Sequence, residues 1–83
     1  RAWLTAALTQ RGFAVLPSMA NFVFATHPRL DGGRMYRDLK ARGILVRHFD
    51  APRLAAYNRI TVGSMPQLKT LIDAIDALLE ASV

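Results

Sequence analysis

Arg59 enters the stretch Arg59-Ile60-Thr61-Val62-Gly63, and Arg47 leaves the stretch Ile44-Leu45-Val46-Arg47. A guanidinium is permanently charged and presents a planar fork of donors that matches a carboxylate or phosphate in two parallel hydrogen bonds. Both runs are short, apolar and rich in β-branched residues, as strands are. If they are antiparallel neighbours, the end of the first lies beside the start of the second. Both forks then converge on one anion at the sheet's edge. The alternative for either arginine is a surface ion pair with a nearby Asp, worth little energetically.

Other chemistry is sparse. The absence of cysteine excludes disulfides, thiolate nucleophiles and zinc–thiolate sites. His27 and His48 are too far apart in sequence to suggest a metal by spacing. No Ser/His/Asp or Cys/His set is present, and no close carboxylate pair sits on two facing elements. Gly32-Gly33 opens a helix but lacks the fingerprint of a phosphate-binding loop. No catalytic residue is therefore expected in this chain.

The elements that must position the two arginines can be read in order. Residues 2 to 11 repeat apolar side chains at helical spacing through Leu4, Ala7 and Leu8, and Gly12 suits the left-handed residue that ends such a helix. Phe13 to Leu16 predicts a strand, broken by Pro17-Ser18. Asn21-Phe22-Val23-Phe24-Ala25 predicts a central strand, apolar on both faces. Phe22 and Phe24 share one face. Paired aromatics of this kind can stack bases, but no basic residue interleaves with them, so core packing is expected.

Asp31 is placed to cap a helix running to about Arg42, with Met35 and Leu39 inward, Tyr36 at its edge and an Arg34/Asp38/Arg42 charge ladder outside. Gly43 ends it. Ile44-Leu45-Val46 predicts a third strand, and residues 50 to 58 a loop with a helical turn near Leu54 to Ala56. The fourth strand starts at Arg59. Ser64 with Gln67 forms a capping box before a helix from Met65 to Ala81, striped by Leu68, Leu71, Ile72, Ile75, Leu78 and Leu79. The order α-β-β-α-β-β-α predicts an α+β fold: a two-layer sandwich whose small, mostly antiparallel sheet carries helices on one face.

The chain has 83 residues, enough for a single domain that buries about 60–65% of its unfolded surface. Residues 1–83 are read as one domain, stable mainly if a partner covers the sheet's open, partly apolar face. Hydrophobic residues at 52% exclude a disordered segment. The net charge of +5 comes mostly from scattered arginines, not the clustered stripe of a nucleic-acid surface, so no nucleic-acid partner is expected. No apolar run approaches the roughly 20 residues of a membrane span, and a cytoplasmic protein without a membrane partner is expected. Beginning at Arg1 and already helical, the sequence reads as a piece of something longer.

The succession Gly12-Phe13, Pro17-Ser18-Met19-Ala20-Asn21-Phe22-Val23, Leu39 to Arg42, Gly43-Ile44-Leu45-Val46-Arg47 and Arg59-Ile60-Thr61-Val62-Gly63 resembles the C-terminal small domain of fold-type I pyridoxal-phosphate aminotransferases. Within them it is most similar to the histidinol-phosphate aminotransferases. The resemblance covers nearly the whole chain, with the elements in the family's order. It implies that Arg59 matches the arginine clamping the substrate's α-carboxylate, and that Arg47 matches the arginine binding the substrate's phosphate. Asn21 matches a motif asparagine, read as structural. Pyridoxal 5'-phosphate is the implied cofactor, held mainly by a large domain absent here. Neither Lys40 nor Lys69 matches the Schiff-base motif, so this piece alone is expected to be inactive. The implied partners are the rest of the same polypeptide, an amino-acid or keto-acid substrate, and a second subunit in a homodimer. Ser64-Met65-Pro66-Gln67 departs from the family's usual residues after Gly63, altering only a helix cap. An aromatic-amino-acid aminotransferase, a threonine-phosphate decarboxylase, or a stand-alone module binding a small acidic ligand are the other readings.

Overall fold

The computed structural model describes residues 2–16 and 21–81. Three helices and four strands follow in the expected order: α1 (Ala2–Gln10), β1 (Ala14–Leu16), β2 (Phe22–Thr26), α2 (Gly32–Ala41), β3 (Arg47–His48), β4 (Asn58–Thr61) and α3 (Met65–Ala81). The strands form one antiparallel sheet in the order β1-β2-β4-β3. Strands β2 and β4 lie inside, paired through Val23 with Ile60 and Phe24 with Arg59.

Local chemistry fixes where the helices stop. Gly12 and Gly43 have φ of 92° and 78°, the left-handed region that glycine enters without steric cost. At α1, the Gly12 N–H donates to the Thr9 carbonyl and the Phe13 N–H to the Leu8 carbonyl. At α2, Gly43 N–H reaches Lys40 and Ile44 N–H reaches Leu39 in the same pattern. Both are Schellman caps, which satisfy carbonyls left over at a helix end. The N-termini are closed as expected. Asp31 accepts from the Arg34 N–H at 2.9 Å. Ser64 and Gln67 cap reciprocally, with Ser64 N–H donating to Gln67 Oε1 at 3.0 Å and Gln67 N–H to Ser64 Oγ at 3.4 Å. Such caps are worth about 1 kcal/mol each.

The core lies between the helices and the sheet face carrying Val23, Ala25 and Ile60. Leu4 and Leu8 of α1, Leu39 of α2 and Ile75 of α3 reach it with no exposed surface. Burial of such a side chain contributes about 1.5–3 kcal/mol. His27, 6% exposed, is buried beside this core. Its Nε2 lies 2.8 Å from the Arg11 carbonyl, its Nδ1 accepts from the Arg29 N–H at 3.0 Å, and Phe13 meets its ring edge-on. Arg11 also ties α1 to α3. Its Nε and Nη2 donate to the two carboxylate oxygens of Asp76 at 2.6 and 3.2 Å. That bond holds the guanidinium's pKa above the usual arginine value.

Four expectations need correction. The third strand is not Ile44-Leu45-Val46 but Arg47–His48. The Ile44 N–H already closes α2, and Leu45 projects outward at 76% exposure. The first strand likewise begins at Ala14, because the Phe13 N–H closes α1. Phe22 and Phe24 are not core residues. They alternate with buried Val23 and Ala25 and stand half-buried on the face away from the core. The charge ladder on α2 reduces to Arg34 with Asp38, at 3.5 Å. The break expected at Pro17-Ser18 lies outside the described residues, as does the turn that Asn21 was expected to brace. Asn21 itself receives the Val62 N–H on its backbone carbonyl at 2.8 Å.

Candidate anion-binding face

Strands β3 and β4 place Arg47 directly opposite Arg59. Residues opposed across an antiparallel ladder project to the same face, and alternation continues the row through Phe24 of β2 and Leu16 of β1. The two forks expected at one sheet edge are therefore neighbours. Arg47 lies at the start of its strand instead of its end, and Arg59 is the second residue of β4.

Aromatic rings separate and hold the guanidiniums. Arg59 Cζ lies 4.9 Å from the centroid of Phe22 and 5.9 Å from that of Phe49. Arg47 Cζ lies 5.3 Å from the same Phe49 ring. Phe49 also packs 6.2 Å from Phe24, which meets Phe22 edge-on at 5.6 Å. The negative face of each ring attracts the cation while leaving its in-plane N–H donors available. Sequence reasoning did not single out Phe49. Its signal was the spacing of two from Arg47, which in extended chain returns to the same face.

Neither arginine is paired with a carboxylate among the described residues. Arg59 Nε is buried without a hydrogen-bond partner. Buried donors are nearly always satisfied, so an unpaired guanidinium edge beside a second cation is chemistry suited to an anion. Two hollows lie elsewhere. One of about 460 Å³ is bordered by Ile44, Val46, Gly63 and Leu71, and another of about 470 Å³ by Leu16, Pro52, Leu54 and Tyr57. Neither is lined by Arg47 or Arg59. The arginines thus occupy an open face that encloses nothing by itself.

The described residues do not fit as a cofactor cradle. Lys69 is exposed on α3, and Lys40, exposed on α2, leans over the Tyr36 ring at 5.9 Å. Both helices pack against the sheet face opposite the arginines. Among the described residues there is also no group of three metal-ligating side chains, and no helix is long and apolar enough to cross a membrane.

The model of the aminotransferase class I and II family matches residues 1–75. The chain belongs to that family. Class I and II aminotransferases depend in general on pyridoxal phosphate. The chain is 49% identical over 78 residues to histidinol-phosphate aminotransferase 1 of Methylococcus capsulatus, covering 94% of this chain and 22% of that protein. It is 49% identical over 75 residues to histidinol-phosphate aminotransferase 1 of Pseudomonas aeruginosa, covering 90% and 21%. The crystal structure of the histidinol-phosphate aminotransferase from Clostridium acetobutylicum shares the fold, with a TM-score of 0.86 at 19% identity over 98% of this chain and 25% of that one. The chain thus spans about a fifth of the length of the curated relatives it matches.

Proposed function

We propose that this chain is the C-terminal, substrate-anchoring domain of a pyridoxal-phosphate-dependent histidinol-phosphate:2-oxoglutarate aminotransferase. Arg59 holds the carboxylate of glutamate or 2-oxoglutarate in a two-pronged bond, and Arg47 holds the phosphate of the phosphorylated amino donor. The observation that carries the reading is the opposed Arg47–Arg59 pair, without a carboxylate partner among the described residues. Likeness to relatives bearing the histidinol-phosphate aminotransferase name supports the choice of substrate.

Bound pyridoxal phosphate supplies the amino-group transfer. This chain's residues do not hold it and take no part in bond-breaking. Their work is orientation, since fixing the substrate's anionic group sets where its reacting bond points. The open face supports a further part of the reading, in which a larger domain of the same polypeptide closes over the arginines and the whole enzyme is a cytoplasmic homodimer.

The test is kinetic, on the full-length enzyme. Arg59→Ala should weaken every carboxylate substrate, glutamate included, whereas Arg47→Ala should weaken mainly the phosphorylated donor. An unchanged glutamate half-reaction in the Arg59 variant would refute its role.

A further inference from the structure

The β3–β4 ladder ends at Arg47 and Arg59, although the residues beyond that pair are suited to continue it. Carried on in the same register, Val46 would stand beside Ile60 and Leu45 beside Thr61, but neither pair is formed in the structure. Ile44-Leu45-Val46 nevertheless keeps the alternation of β3. Ile44 and Val46 are half-buried and pack on the core, whereas Leu45 is exposed, as Arg47 is. A hollow of about 460 Å³ is bordered both by Ile44, Leu45 and Val46 and by Ile60 and Thr61. Two runs in matching phase thus face each other across open space.

Their backbone groups are aimed to meet. The Val62 N–H donates to the Asn21 carbonyl, on the β2 side. Hydrogen-bonding groups alternate sides along a strand, so those of Thr61 and Arg59 turn toward β3. Arg47–Arg59 is therefore a hydrogen-bonded pair, and Leu45–Thr61 would be the next, exchanging two bonds. The Schellman cap of α2 takes the Ile44 N–H and makes no use of the Leu45 backbone.

We propose that this open rung closes when an anion bridges Arg47 and Arg59, lengthening β3 to residues 45–48 and fixing Arg47 in place. Leu45 and Thr61 then act through their backbones as positioning residues for the edge arginine. The device rests on the anchoring role proposed above for the two arginines.

The physical coupling runs through the last rung that is already formed. Like charges opposed at Arg47 and Arg59 weaken that rung, and a shared anion removes the repulsion. The segment beyond it is held at both ends, by the Ile44 N–H on the Leu39 carbonyl and by Arg47 in the ladder. Closing so short a span orders few residues. Coupling of this kind is reciprocal: an anion that closes the rung is itself held more tightly, by the same factor, once the rung is closed.

The test is amide hydrogen exchange on the full-length enzyme, with inorganic phosphate as the probe at concentrations that saturate each variant. Phosphate should slow exchange at Leu45 and Thr61 about tenfold, and Arg47→Ala should abolish the slowing. Leu45→Pro removes the N–H and should weaken phosphate binding about three- to tenfold, the size of one lost hydrogen bond. Leu45→Val keeps the N–H and should bind as the parent does. Unchanged exchange at both amides, in a parent that binds phosphate through Arg47, overturns the proposal and leaves the anchoring role standing. So does slowing that persists in Arg47→Ala. Phosphate binding that Arg47→Ala leaves untouched removes the anchoring role itself, and the closing rung with it. Where Leu45→Pro fails to fold, the exchange result in the parent decides.

Discussion

Arg47 stands directly opposite Arg59 across the β3–β4 ladder, and the ring of Phe49 lies within 5.3 and 5.9 Å of their guanidinium carbons. Like charges opposed on adjacent strands destabilise a sheet by a few tenths to about 1 kcal/mol. Each contact of a cation with a ring face returns a similar amount at a partly exposed site. The pair is therefore tolerated in the free chain, and an anion held between the two forks, as proposed, would make it favourable.

Charge alone does not reproduce what Arg59 offers. Its guanidinium lies against Phe22, and its fork is planar. In the full-length enzyme Arg59→Lys should raise KM for glutamate roughly tenfold or more, because an ammonium cannot make the two-pronged bond. Steady-state kinetics against glutamate measure this, and parental KM in the lysine variant would contradict it.

Phe49→Leu removes a ring shared by both cations while keeping an apolar side chain. Loss of two cation–ring contacts of about 0.5–1 kcal/mol each should weaken anion binding some five- to thirtyfold. Stability should change little. Titration with inorganic phosphate, beside a thermal melt, separates the two effects.

Gly32 and Gly43 should respond to alanine for different reasons. At Gly43 nothing lies near the added methyl, but φ is 78°, so Gly43→Ala should cost about 1–2 kcal/mol in backbone strain alone. At Gly32 the backbone is ordinary, but the methyl would collide with the Ala55 carbonyl oxygen and the Ala56 backbone. Gly32→Ala should cost about 1–3 kcal/mol by overpacking. Asparagine, which tolerates the left-handed region, should recover part of the loss at position 43 and none at position 32. Urea denaturation of the four variants checks this.

The Arg11–Asp76 pair is partly exposed and joins residues far apart in sequence. Arg11→Met should cost under about 1 kcal/mol, and the difference should shrink in 1 M salt. Because folding raises the Arg11 pKa, its contribution is present at neutral and mildly alkaline pH, while Asp76 is ionised, and on the alkaline side is lost only as pH rises through the folded value. Melts at neutral and mildly alkaline pH should therefore show the same deficit in the variant.

Much of this was legible in the residues. The caps at Asp31 and Ser64 and the left-handed stops at Gly12 and Gly43 use contacts between residues a few positions apart, and sequence displays those directly. Antiparallel pairing of the two arginine strands stood only as a condition in that reading, and the β3–β4 ladder meets it. Long-range competition was harder to see. Ile44-Leu45-Val46 has strand composition, yet the Schellman cap of α2 takes the Ile44 N–H first. Phe22 and Phe24 differ from Val23 and Ala25 only in which face the helices cover, and alternation cannot say which face that is. The cations that stack on those rings come from Arg59 and, through Phe49, from a strand more than twenty residues away. The unformed Leu45–Thr61 rung was invisible until the register was known.

The two-residue length of β3 makes the arginine pair mechanically unequal. Arg59 sits on an inner strand hydrogen-bonded on both sides, while Arg47 sits on a short edge strand that follows an unpaired segment. Local opening is easiest where few backbone bonds must break, so β3 can lift while β4 stays in place. An anion reaching both arginines would meet one fixed jaw and one yielding jaw, and the gap between them could adjust to its size without unfolding the sheet.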